Sequence, residues 1–188
     1  MHADLAAIER ELRDIDAHAR GLVESVDEAT WVTRPAPDSW SMSECLAHLT
    51  LSTNAFLPAV REELARPEVR ARQAPARMRR DLIGWALSRM LEPPVRSRMP
   101  TTAAFIPGGN ESRAEGLAAF VKSQAALIEL LHQSDGVDIT QVRLTSPFNA
   151  RVKYSLFSMF RITTAHQRRH LWQAEQARDA MAASSSTG

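Results

Sequence analysis

The sequence predicts an all-α fold: a four-helix bundle with a long, irregular and partly helical insertion between helices two and three. Three observations carry that prediction. Only 7 of 188 residues are glycine, while hydrophobic residues at 44% and charged residues at 24% are ordinary globular values, and β-branched runs are few, which leans toward helix. Four long stretches repeat apolar residues at alternating spacings of three and four, the period of a helix with one buried face. Two of these stretches open on a Ser-x-x-Glu signature, in which the serine and glutamate satisfy each other's end of a helix start. The length suits a single domain, taken as residues 1–182. The Ser-rich residues 183–188 are expected to form a disordered tail.

Helix one is expected over about residues 3–28, where Leu5, Ile8, Leu12, Ile15, Ala19, Leu22 and Val26 form the inward stripe. Residues 30–40 hold Pro35 and Pro37 and cannot continue it. Trp31 and Trp40 in that connector have large apolar areas to bury, so the loop should lie down on the bundle. Ser41-Met42-Ser43-Glu44 caps helix two. Its stripe of Cys45, Leu46, Leu49, Phe56 and Val60 places His48 facing inward, near Cys45 and Ser52. Pro58 should kink or locally break this helix, which fades near Arg66-Pro67.

Residues 67–111 are the least regular part, with a basic start, a helix expected over about 77–91 and a loop from Glu92 to Gly109. Loops of that length in a small domain are often functional, and this one offers a pocket wall around Phe105 and Ile106 as well as a plain connection. Ser112-Arg113-Ala114-Glu115 caps helix three, which runs to about Gln133 and stops at Ser134-Asp135-Gly136. Residues 137–153 form a connector with room for a short extended piece. Helix four spans about 154–181, and its inward series is Leu156, Met159, Thr163, His166, His170, Gln173 and Ala177.

The balance of 23 basic against 22 acidic residues gives a net charge of +1, with little drive toward nucleic acid or anionic lipid. No apolar run approaches the roughly 18–20 residues that cross a bilayer. One cysteine, Cys45, excludes an intrachain disulfide, and the cytoplasm is the expected compartment.

The chemistry lies where the stripe of helix four changes character. Thr163, His166 and His170 occupy positions that are aliphatic in helix one, and burying such groups without partners costs on the order of 1–3 kcal/mol each. His166 and His170 are four residues apart, one above the other on a helix face, which is metal-ligand spacing. His48 can join them if helices two and four are neighbours. Three neutral imidazoles suit Zn, Ni, Cu or Fe and leave positions for water or substrate. A zincin protease would place its glutamate base directly after the first histidine, where this chain has Gln167. Thr163 and Gln173, one turn from the pair, are candidates for substrate or supporting hydrogen bonds, as is Glu44 beside its capping role.

With Pro37-Asp38-Ser39-Trp40-Ser41-Met42-Ser43-Glu44-Cys45-Leu46-Ala47-His48-Leu49 and His166-Gln167-Arg168-Arg169-His170-Leu171-Trp172-Gln173 in view, the chain resembles the DinB-like superfamily of metal-binding four-helix bundles. The resemblance implies a metal centre in which helix two gives one ligand, His48, and helix four two, His166 and His170, with Zn or Ni the foremost candidates. It also implies a small-molecule substrate. Characterised members use low-molecular-weight thiols such as mycothiol or bacillithiol as transferases and isomerases, and others look like metal-dependent hydrolases. A non-catalytic metal-binding or stress protein is the alternative, and a homodimer anchored through Trp85 or Phe105 is compatible with either.

Overall fold

The computed structural model describes residues 1–94 and 101–185 and is mostly helical. Its long elements are α1 (Ala3–Glu24), α3 (Met42–Ala65), α6 (Arg113–Gln133) and α7 (Leu156–Ser185). α3 packs against α6 and α7, and α1 packs against the same two, so each long helix has two long neighbours. Helix starts follow the cap chemistry. Ser41 and Ser112 each accept from the amide three residues on, while Glu44 and Glu115 reach back to the cap amides.

Several departures from the sequence prediction have local causes. The first helix ends at Glu24, and a separate short helix, α2 (Glu28–Val32), restarts because the Asp27 carboxylate accepts from Thr30 N–H at 2.8 Å. Trp31 therefore lies in a helix, fully buried, with Nε1–H donating to the Glu111 carbonyl at 3.0 Å. Within the insertion, α4 (Pro67–Arg70) is followed by α5 (Leu82–Leu91), which starts five residues later than expected because Asp81 caps it through Gly84 N–H.

Beside the helices, the connector with room for a short extended piece forms one small two-stranded antiparallel hairpin, β1 (Arg143–Ser146) and β2 (Asn149–Ser155), which pairs Leu144 with Tyr154. Leu144 and Ser146 are buried between exposed neighbours, the period-two signature of a strand. The hairpin also delays α7 to Leu156. At its other end α7 continues to Ser185, past the expected stop near Met181, and residues 186–188 lie outside the described residues. Pro58 does not interrupt α3. Pro58 and Asn54, the residue whose carbonyl loses its donor, are both exposed, so water can satisfy that carbonyl.

The core is divided along the helix axes. One apolar cluster joins Leu5–Leu12 of α1, Phe56–Leu64 of α3, Leu127–Leu131 of α6 and the first turns of α7 up to Ala165. The other joins Ile15–Val23, Met42–Leu49, Phe120 and the stretch from Leu171 to Ala177. Between them runs a buried polar layer that includes Ser52, Thr53, Gln124, Gln167 and His170.

Candidate metal centre

That polar layer holds the histidines. His48 projects from α3 and His166 and His170 from α7, with one ligand-capable atom of each within 4.8 Å of the others. His48 and His170 are 2% and 7% exposed, while His166 keeps an edge open. Nδ1 of His48 lies 2.8 Å from the Phe105 carbonyl, which can only accept, so Nδ1 carries the proton and Nε2 presents its lone pair. Nε2 of His48 faces Nε2 of His166 at 3.3 Å, with the Ser52 hydroxyl 3.3 Å from the same His48 atom.

Burial pushes all three imidazoles toward the neutral form. It takes His166 down to about 3, with His48 and Arg169 adding electrostatic repulsion. His170 is held well below its ordinary value by burial and then by the other two histidines and Arg169, and His48 is lowered by burial against the raising effect of its Phe105 bond. Neutral imidazole is the ligating form.

The residues fit a metal ion. Tetrahedral metal–nitrogen bonds of about 2.0–2.1 Å put two ligand nitrogens roughly 3.3–3.4 Å apart, which matches the 3.3 Å between the Nε2 atoms of His48 and His166. Nδ1 of His170 is buried without a partner among the described residues. The Phe105 carbonyl behind His48 is the kind of support that fixes a ligand's tautomer and orientation.

Aromatic rings wall the centre. Trp40 stacks on His170 at 5.6 Å between centroids and contacts His48 at 4.9 Å, while Phe148 at the hairpin turn meets His166 at 5.9 Å and Phe105 at 4.4 Å. Behind His166, the Gln167 side-chain amide donates to Gln124 Oε1 at 2.7 Å and to Thr53 Oγ1 at 3.2 Å. This ties α7 to α6 and α3 across the polar layer.

The three histidines lie on the wall of a cavity of about 1040 Å³, bounded by α3, α5, the hairpin turn and α7. Thr163 lines it, with its hydroxyl donating to the Met159 carbonyl at 2.9 Å. Gln173 lines it too, and its Oε1 is buried without a partner among the described residues. Glu44 is placed elsewhere. Its carboxylate accepts from the Ser41 amide at 2.9 Å and from two nitrogens of Arg34, and its pKa is lowered by those bonds against desolvation. Of the two proposed surface anchors, Phe105 is buried against Phe148, whereas Trp85 is exposed on α5.

Sequence reading missed Trp40, Phe148 and the Phe105 carbonyl as neighbours of the histidines, because each arrives from a different irregular segment. It also passed over Arg169, which lines the cavity at 5% exposure. That position was findable, since Arg169 is one turn from His166.

The family model described as the DinB superfamily matches residues 10–174 of the chain. No curated protein and no solved structure matches it. No helix among the described residues is long and apolar enough to cross a membrane.

Proposed function

We propose that this chain, which belongs to the DinB superfamily, is a metal-dependent enzyme whose His48, His166 and His170 hold a divalent metal, Zn or Ni foremost. Its substrate is a small molecule, reached by S-transfer from a low-molecular-weight thiol or by hydrolysis. The observation that carries this reading is the position of the three histidines on the wall of a cavity of about 1040 Å³. A site serving only to staple helices tends to be closed by four protein ligands, whereas three ligands facing a cavity leave room for a reactant. The metal, when bound, supplies a Lewis acid that favours deprotonation of a thiol or water.

The protein's own residues do the remaining work. The four long helices, read as a four-helix bundle, deliver the imidazoles from facing helices. The Phe105 carbonyl holds His48 in the tautomer that ligates. Trp40 and Phe148 exclude water from two sides of the cluster. Thr163 and Gln173 offer an oxygen each to a bound molecule, and Gln173 Oε1 is the stronger candidate because it lacks a partner among the described residues. Glu44 supports the site indirectly, by fixing the start of the helix that carries His48.

The test is consumption of a low-molecular-weight thiol with an electrophile by the zinc- or nickel-loaded protein, against His166→Ala. The wild type should turn over and the variant should fall to background; equal rates would sink the reading for those substrates. The alternative, a non-catalytic metal-binding protein, gains if chelation lowers the melting temperature sharply while neither thiols nor electrophiles perturb the site. A homodimer would bury the exposed Leu82, Trp85 and Met90 of α5, and sedimentation of wild type against Trp85→Ser reads that directly.

A further inference from the structure

The cavity wall differs on the two sides of the histidines. Helix α5 runs alongside α7 from Ser158, beside which Gly84 has no room for a Cβ, to Arg168, which bonds Glu92 at 3.0 Å. It therefore flanks the side of His166 that leads back to Ile162. There the wall is apolar, built from Leu87 and Leu91 of α5, Phe148 and Val152 of the hairpin, Phe56 of α3 and Ile162 of α7. Leu91, Phe56 and Ile162 are buried in the first apolar cluster, while Leu87, Phe148 and Val152 are half-buried against it, with protein on one side and the cavity on the other. Polar groups on this side are turned to the protein. The Thr163 hydroxyl donates to the Met159 carbonyl at 2.9 Å, and Ser146 Oγ accepts from Phe148 N–H at 3.3 Å and bonds Tyr154. Beyond His170 the wall changes, with Trp40 stacked on the imidazole and Gln173 Oε1 buried without a partner among the described residues. Apart from the histidines, the charged side chains of the described lining, Asp38 and Arg169, are already engaged.

We propose that the small molecule bound here carries an uncharged hydrocarbon group, seated between α5 and the hairpin on the His166 side, with its polar end toward the histidines and Gln173. A site that handled only water would need a small share of about 1040 Å³, since one water occupies roughly 30 Å³. Pockets of this size take drug-sized molecules, with apolar walls and a few polar groups that orient the ligand. Hydrocarbon that replaces water against Leu87, Phe148 and Val152 removes apolar surface from water and supplies dispersion contacts on the side where the wall has none. Donors already satisfied within the wall make no competing demand for a polar ligand. The placement of the polar end at the histidines rests on the function proposed above; the hydrocarbon seat between α5 and the hairpin does not.

Titration of the full chain with 1-butanol, 1-hexanol and 1-octanol, followed by NMR, tests this. Each added methylene should tighten binding about fourfold, the effect of burying one CH₂. The increment should fall below twofold in Val152→Glu and in Leu87→Gln, which make the wall polar. It should be unchanged in Leu82→Glu, where the residue replaced is exposed on α5 outside the cavity lining. In the wild type, intermolecular NOEs from the hexanol methyl should reach Leu87, Val152 and Ile162, a readout that needs neither wall variant to fold. A flat series, an increment that survives both wall variants, or hexanol NOEs confined to Leu82 and Trp85 on the exposed face of α5 overturns the inference. After zinc loading, 1-hexanethiol is compared with 1-hexanol: equal affinity sinks the thiol role alone and leaves the hydrocarbon seat standing.

Discussion

At the scale of single residues, the decisive atoms are nitrogens whose partners fix what they can do. His48 spends its N–H on the Phe105 carbonyl, so its other nitrogen meets His166 as a lone pair. Replacing His166 with alanine removes one of the three proposed ligands and one of the two Nε2 atoms that face each other. Zinc affinity should fall by about 100-fold or more, beyond what losing a supporting partner costs, as read by competition with a chromophoric chelator. Glu44 gives a contrasting expectation. Glu44→Ala leaves the buried Ser41 amide without its acceptor, which costs about 1–3 kcal/mol, while zinc stoichiometry should stay at one per chain. The Glu44 pKa is lowered in the fold, so its stabilisation is present above the ordinary carboxylate value of 4.5 and is lost as pH falls through the folded value. Denaturant midpoints of wild type and Glu44→Ala should converge as the pH is lowered through that range.

At the scale of elements, α7 is the member that everything else is arranged around. Its first half is buried on nearly every side, from Leu156 through Ala165, because α1, α3, α5 and the hairpin all pack on it. A single inward stripe was expected, and the additional burial comes from α5 and the hairpin closing the remaining face. Asp81 ties this corner together, accepting from Gly84 N–H at 2.8 Å, Ser155 N–H at 2.6 Å and Arg143 at 2.9 Å. The contact is close at Gly84, where an added Cβ would overlap the Ser158 side chain. Gly84→Ala should therefore destabilise by about 1–3 kcal/mol through overpacking, against the gain of roughly 1 kcal/mol that alanine brings to an exposed helix interior. Thermal melts showing a rise in Tm would count against that packing.

At the scale of the whole molecule, the polar layer separates two apolar clusters, and its energetics depend on protons and, on the proposed function, on metal. The three histidines have folded pKa values below the ordinary 6.5. Above 6.5 both folded and unfolded states hold them neutral and no difference arises. Below it the unfolded chain takes up protons that the folded chain refuses, so stability falls with pH, by at most about 1.4 kcal/mol per unit for each histidine and by less for His166 with its open edge. The metal-free protein should thus lose Tm steadily from pH 6.5 toward 5. Zinc at 100 times its dissociation constant should restore about 2.7 kcal/mol at neutral pH, and His166→Ala should show no such gain.

The sequence by itself determined the long helices, both capping boxes, the family and the three histidines as a set. Each of these is a local pattern or a spacing along one helix, and helical periodicity fixes which side chains share a face. Tertiary structure alone decided what stands behind and around the histidines. The Phe105 carbonyl is 57 residues from His48, Trp40 and Phe148 come from segments without regular period, and the hairpin that carries Phe148 packs where connectors leave no sequence rule. Arg169 lies between the two cases: its spacing from His166 was visible, but only the closure of α5 and the hairpin over α7 made the space it faces a cavity.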